Sequence, residues 1–255
     1  MSLGDHLREL RYRVLFSLVW IVLGMIVVAV FYNQAYVFLA QPWLQARDIL
    51  SETNPELSTQ MVLSGVTSPL SLALKICGVG GLVLASPIWL YQIWAYIVPA
   101  LLAKEKRWAL IFLSVALPLF LAGVAVGYLV LPQGISVLMS FTPQSVPITN
   151  LIEIDKFLEL MLQLMVVFGL GFLMPVVVVG ANLVGVLTAA QLAKARTYVI
   201  FGTFVFGAAA TPSTDPFSML ALAIPMSLLF VAAELICRLN DKRKARKAAA
   251  ELAAT

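Results

Sequence analysis

AKEKRWALIFLSVALPLFLAGVAVGYLVL, from Ala103 to Leu131, sets a basic cluster directly against 24 residues that carry no charge. A helix rising about 1.5 Å per residue needs around 20 apolar residues to cross a hydrocarbon core of about 30 Å. The run from Trp108 therefore reads as a membrane span, and Lys104, Lys106 and Arg107 mark the end that stays in the cytoplasm. The whole chain shares this character. Of its 255 residues 61% are hydrophobic and 12% charged, against about half and about a quarter in a soluble domain. Such a chain cannot hide its apolar surface from water, so a bilayer is its natural solvent.

Working outward from that stretch, six segments qualify as spans: Val14 to Tyr32, Leu70 to Val98, Trp108 to Leu131, Phe157 to Val186, Tyr198 to Ala210 and Phe217 to Cys237. The expected fold is all-α: one integral membrane domain over residues 1–255, with six helices and a basic tail at 238–255. The second and fourth runs are longer than a perpendicular helix requires and contain Pro87 and Pro175, which predicts tilted or bent helices there. The fifth has only thirteen uninterrupted apolar residues. Either the bilayer thins around it, or its helix begins near Gln191 with Lys194 and Arg196 snorkelling to the headgroups. The first run follows three arginines as a signal peptide would. Its length, and the lack of a small-residue cleavage site after it, predict a retained anchor.

Charge orients the bundle. Fourteen basic residues fall before the first span, between spans two and three, between spans four and five, and in the tail; the alternate loops hold two, Arg47 and Lys156. The positive-inside rule then predicts both termini in the cytoplasm. The outer segments 33–69 and 132–156, rich in Pro, Ser, Thr and Asn, predict short helices or ordered turns capping the bundle. The tail alternates Lys and Arg with Ala, and reads as a frayed helix touching anionic lipid.

Catalytic sets are absent from the spans. The single histidine, His6, precedes the first span, no aspartate lies inside one, and there is no phosphate-binding glycine loop. Cys77 and Cys237 sit in apolar runs and read as buried thiols. No enzyme activity, cofactor, metal or nucleic-acid partner is implied. Lys75, Glu159, Gln163 and Glu234 are the polar groups nearest the apolar core. Lys75, Glu159 and Glu234 lie within about two turns of a span end, where snorkelling or interfacial hydration accounts for them. Glu159 and Gln163 share one helix face and suggest a wet cavity.

Four strings have the order and topology of one family. HLRELRYR (His6 to Arg13), SPIWLYQIWAYIVPALLAKEKR (Ser86 to Arg107), FGLGFLMPV (Phe168 to Val176) and TPSTDPFSMLALAIPM (Thr211 to Met226) together resemble the TatC family, the multi-spanning receptor subunit of the twin-arginine protein translocase of the bacterial inner membrane. The resemblance implies an oligomeric receptor and scaffold. It would bind twin-arginine signal peptides of folded cargo on its cytoplasmic face and recruit TatA- and TatB-type single-span subunits, with export driven by the proton-motive force.

By motif, the family's two signal-binding glutamates fall on Glu9 and Glu105, with Arg11, Gln92, Trp94 and Tyr96 shaping the groove. A carboxylate takes a guanidinium fork bidentately, with a specificity lysine does not match. From the residues alone, Glu9 pairs with Arg13 at helical spacing and Glu105 is neutralised by its basic neighbours. Two departures stand out. Leu173 replaces the family's intramembrane glutamate after Phe172, and Met219 replaces the glutamine of the Asp-x-x-Ser-Gln string begun by Asp215. Both positions belong to the family's partner-docking surface, where Thr211 and Gln163 would supply residual hydrogen bonds. A small-solute secondary transporter is the alternative of another class; it requires midplane substrate ligands and related halves.

Overall fold

A computed structural model describes residues 3–53, 58–97, 105–140, 149–210 and 216–253. Its elements are α1 (Leu3–Val30), α2 (Tyr32–Thr53), β1 (Ser58–Val62), α3 (Ser68–Leu84), α4 (Ser86–Ile97), α5 (Glu105–Ser140), β2 (Thr149–Glu153), α6 (Ile154–Gly171), α7 (Met174–Val184), α8 (Ala189–Ala210) and α9 (Pro216–Ala253). Among the described residues the regular structure is helical apart from one ribbon, in which β1 and β2 pair in parallel from Ser58 opposite Thr149 to Val62 opposite Glu153.

Among the described residues, four stretches are long and apolar enough to cross a bilayer: Leu7–Val30, Leu110–Leu131, Ile154–Val184 and Pro216–Arg246. The α3–α4 pair, bent by 58°, makes a fifth. The expected bends are present and have a local cause. Pro87 has no N–H to offer the carbonyl four residues back, so α3 closes at Ala85 through a bond to the Gly81 carbonyl (2.9 Å) and α4 restarts from the Ala85 carbonyl. The Trp89 indole then donates to the Leu82 carbonyl at 2.9 Å, spanning the bend with a partner water would otherwise supply. Pro175 sits likewise at the start of α7, just after the break at Phe172 and Leu173. Gly185, with φ of 90°, ends α7 in the left-handed conformation that glycine adopts without strain. Helix α8 begins at Ala189, ahead of Gln191, and reaches 22 residues. Even at that length it is not among the stretches apolar enough to cross.

The outer segments differ from expectation. Instead of short helices, residues 32–53 form α2, a 22-residue helix with Pro42 inside it. Tyr32, Ala35, Tyr36, Leu39 and Trp43 recur at helical spacing and pack against the core. Trp43 meets Phe157 edge-on at 6.1 Å, and Tyr128 stacks on Phe38 at 4.7 Å while its hydroxyl donates to the Phe38 carbonyl. The tail also differs: α9 runs unbroken to Ala253.

Small residues let the helices touch along their backbones. Gly123 and Gly127, four apart on α5, face α6 so closely that an added Cβ would lie 2.4 Å from the Phe168 carbonyl oxygen and 3.0 Å from that of Leu164. Gly81 meets α1 in the same way, 2.6 Å from the Met25 nitrogen. Without a hydrophobic drive between helices in lipid, such close packing is a main source of association.

Gly123→Ala and Gly81→Ala are expected to lower stability by about 1–3 kcal/mol, the usual range for forced overpacking. Gly202→Ala, where nothing lies within 4 Å, serves as the control and is expected to be neutral or slightly stabilising. Melting in a neutral detergent reads all three.

Candidate functional site

Helix α1 carries the charges of residues 5–13 on the same rod that continues into the apolar run. On one face of it, the Arg13 fork folds back one turn. Its Nε and Nη2 donate to Glu9 Oε1 at 2.9 and 2.6 Å, while Nη1 donates to Gln92 Oε1 at 3.0 Å. The ion pair thereby ties α1 to α4 across 79 residues of sequence. Both bonds to Glu9 land on one carboxylate oxygen; Arg13 takes neither lone pair of the other.

Beside this cluster lies an apolar groove of about 470 Å³ between α1 and α4, lined among others by Arg13, Ser17, Trp89, Gln92, Ile93 and Tyr96. A carboxylate rim next to an apolar trough suits a segment that is cationic at one end and greasy along the rest. Arg11 is exposed on α1. Trp94 is placed apart from this group: it is buried, stacked on Phe112 at 4.6 Å. Glu105 is the first residue of α5.

Trp94 instead lines a second cavity, of about 330 Å³, with Trp89, Phe112, Leu173, Val177 and Gly180. Leu173 occupies the break between α6 and α7, and every residue around this cavity is apolar or glycine. Met219 is half-buried on α9, with its carbonyl against Gly207 of α8. Thr211 and Asp215 lie outside the described residues.

A third groove, of about 590 Å³, carries Gln163 and an ion pair in which Lys75 Nζ of α3 meets Glu159 Oε2 of α6 at 2.9 Å. The two groups that the sequence reads as snorkelling or hydrated thus neutralise each other across two helices.

Glu234 departs further from expectation. It is 1% exposed, where interfacial hydration was the reading from position, and two arginines hold it. Arg196 of α8 donates from Nε to Oε2 (2.9 Å) and from Nη2 to Oε1 (2.7 Å); Arg238, one turn on, donates from Nε and Nη2 to Oε1 at 3.0 and 2.7 Å.

One turn beyond lies a second knot. Asp241 accepts from the Asn182 amide (2.9 Å) and from the backbone N–H of Ala189 (2.7 Å), at the start of α8. Asn240 donates to Asn182 Oδ1 at 2.8 Å, and Lys244 donates to the carbonyls of Asn182 and Leu183 at the end of α7. Sequence reasoning singled out neither Asn182 nor Asp241. Only the Glu234–Arg238 spacing of four was legible there; the other partners lie 38 to 62 residues away.

The TatC family profile, described as Sec-independent protein translocase protein (TatC), matches residues 5–225. The chain is 35% identical to a Sec-independent protein translocase protein TatC of Frankia casuarinae over 97% of its own length and 68% of the relative's. It is 33% identical to the protein of the same name from Aquifex aeolicus, over 96% and 98%. A crystal structure of the twin arginine translocase receptor TatC in DDM superimposes with a TM-score of 0.77 at 32% identity, covering 91% of this chain and 99% of that one.

Removing Glu234 would leave two half-exposed arginines facing each other across the place of a buried acid, so the loss of the pair is joined by a partly screened like-charge repulsion. Glu234→Ala is expected to lower the melting temperature in detergent by several degrees. The double variant Glu234→Leu with Arg196→Met is expected to recover part of that loss.

Proposed function

The chain belongs to the TatC family, a membrane-bound and non-enzymatic component of the Sec-independent protein translocase, and from that premise we propose that it is the receptor that captures twin-arginine signal peptides. Glu9 and Glu105 each take one signal arginine. Gln92 and Tyr96 line the groove that receives the apolar part of the signal, Arg11 borders it, and Trp94 lines the adjoining cavity that shares Trp89 and Ile93 with it. In this reading the chain crosses the bilayer six times, with α8 as the fifth span, and both termini are cytoplasmic. That topology puts Glu9 and Glu105 on one rim.

The observation that supports this best is the arginine already seated there. Arg13 presents its fork to Glu9 and Gln92 at 2.6 to 3.0 Å, so these two acceptors are spaced for a guanidinium, and the apolar groove begins beside them. A signal peptide offers the same group followed by an apolar run. Capture needs no cofactor. Export then draws on the proton-motive force, through TatA- and TatB-type subunits that dock on the membrane face of the bundle around Leu173, Met219 and Gln163, a docking set to which Thr211 and Asp215 belong by motif.

Glu9→Ala and Glu105→Ala are each expected to weaken site-specific crosslinking to a twin-arginine precursor about tenfold, a charge-assisted bond discounted for solvent exposure. Both variants should still insert and melt as the parent does. Crosslinking at parental yield in both would reject the assignment. For the docking face, complementation in cells lacking their own receptor subunit, with and without Leu173→Glu, reads whether the apolar cavity is sufficient. Rescue by the parent shows that it is; rescue by the glutamate variant alone shows that a polar group is required.

A further inference from the structure

The Glu234 knot is not electrically closed. Two guanidinium groups converge on one carboxylate, which leaves one positive charge on a cluster whose anion is sealed from solvent. The cations are not sealed: the side chains of Arg196 and Arg238 are 43% and 46% exposed. Their bonds to Glu234 use Nε and Nη2 of each fork, and Nη1 takes no part in them. The two outer edges therefore face outward from orientations already fixed by the buried acid.

Their depth is set by their neighbours. On α9, Leu228 before the cluster, Leu235 and Ile236 within it and Leu239 beside Arg238 are exposed apolar side chains, as are Tyr198 and Phe201 after Arg196 on α8. Beyond it on the other side stand exposed Lys194, Lys242 and Arg243. This is where a lipid-facing surface gives way to a basic one, the level of the phospholipid phosphates. An oxyanion there meets two preorganised donors without the entropy cost of gathering them.

We propose that Arg196 and Arg238 form a headgroup site for a phosphate oxyanion, supplied by an anionic phospholipid, at the α8–α9 junction. The bundle binds the phosphate through the two Nη1 edges, and the acyl chains lie along the exposed apolar side chains of α8 and α9. Free phosphate offers the same oxygens but has no chains to place. A zwitterionic headgroup offers the phosphate too, and brings an ammonium toward Lys194. Net charge therefore favours a lipid such as phosphatidylglycerol. The inference does not rest on the signal-peptide reading.

The test uses the full chain in a neutral detergent. Dihexanoyl phosphatidylglycerol is expected to raise its melting midpoint, while dihexanoyl phosphatidylcholine and inorganic phosphate at equal concentration do not. Arg196→Lys and Arg238→Lys keep the charge on Glu234 but lose the fork, and each should weaken the phosphatidylglycerol effect at least fivefold. Lys242→Gln removes a nearby charge outside the cluster and should leave the effect within twofold.

A photoreactive phosphatidylglycerol added to the unaltered protein gives a readout that no folding defect disturbs, and it should label the surface near Tyr198 and Leu239. An equal shift with inorganic phosphate would assign the arginines to a soluble anion and overturn the lipid site. So would an equal loss in Lys242→Gln, an undiminished effect in the lysine variants, or photolabelling confined to other helices.

Discussion

Hydrocarbon offers no hydrogen bonds, so each polar group that enters it must be met by another part of the protein. That constraint accounts for much of what holds this bundle in one arrangement. At the α3–α4 bend the freed Leu82 carbonyl is taken by an indole. At the start of α8 the Ala189 N–H is taken by a carboxylate from α9, and the end of α7 is joined to the following turn by the Asn182 amide, which donates to the Leu187 carbonyl. Glu234 is the strictest case, since it is buried and charged and takes four bonds from two helices. Among the described residues the ion pairs that join different helices lie far apart in sequence. Each therefore selects one mutual placement of helices that apolar packing alone would leave sliding.

Five of the six apolar runs and the bend at Pro87 were legible because they follow from composition and from proline, both local. The glycine contact between α5 and α6 was half legible. Gly123 and Gly127 stand four apart inside the very stretch that first marks the chain as membrane-bound, yet nothing in that stretch names Leu164 and Phe168 as the backbone they touch. Residues 32–53 were misjudged because Asn33, Gln34 and Pro42 look like a capping loop, although Tyr32, Ala35, Tyr36 and Leu39 carry a helical stripe. The ribbon was illegible for another reason: β1 and β2 are five residues each, and a parallel partner 91 positions away leaves no hairpin signal.

The candidate site divides along the same line. The Glu9–Arg13 pair is visible as a spacing of four; Gln92, which completes the acceptor set, is not, and only the family resemblance pointed to it. Lys75 with Glu159 and Arg196 with Glu234 were each read as single residues near a membrane edge, where exposure to headgroups is the ordinary outcome. Pairing changes the physics. A charge that snorkels is free to move, whereas one clamped to a buried opposite holds two helices and presents what is left of its donors in a fixed direction.

Leu173 shows what the constraint permits when the polar group is taken away. It stands at the break between α6 and α7, where a side chain projects into a cavity whose lining is otherwise aromatic, aliphatic or glycine. A carboxylate there would need a partner, and no side chain lining that cavity is charged. With leucine the cavity asks nothing of water or of a counter-ion, and it can be filled by any apolar group of the right shape. An apolar socket of this kind binds through packing, and so discriminates by volume rather than by charge. Polar groups line a separate groove between α1, α3 and α6, where the Lys75–Glu159 pair and Gln163 stand.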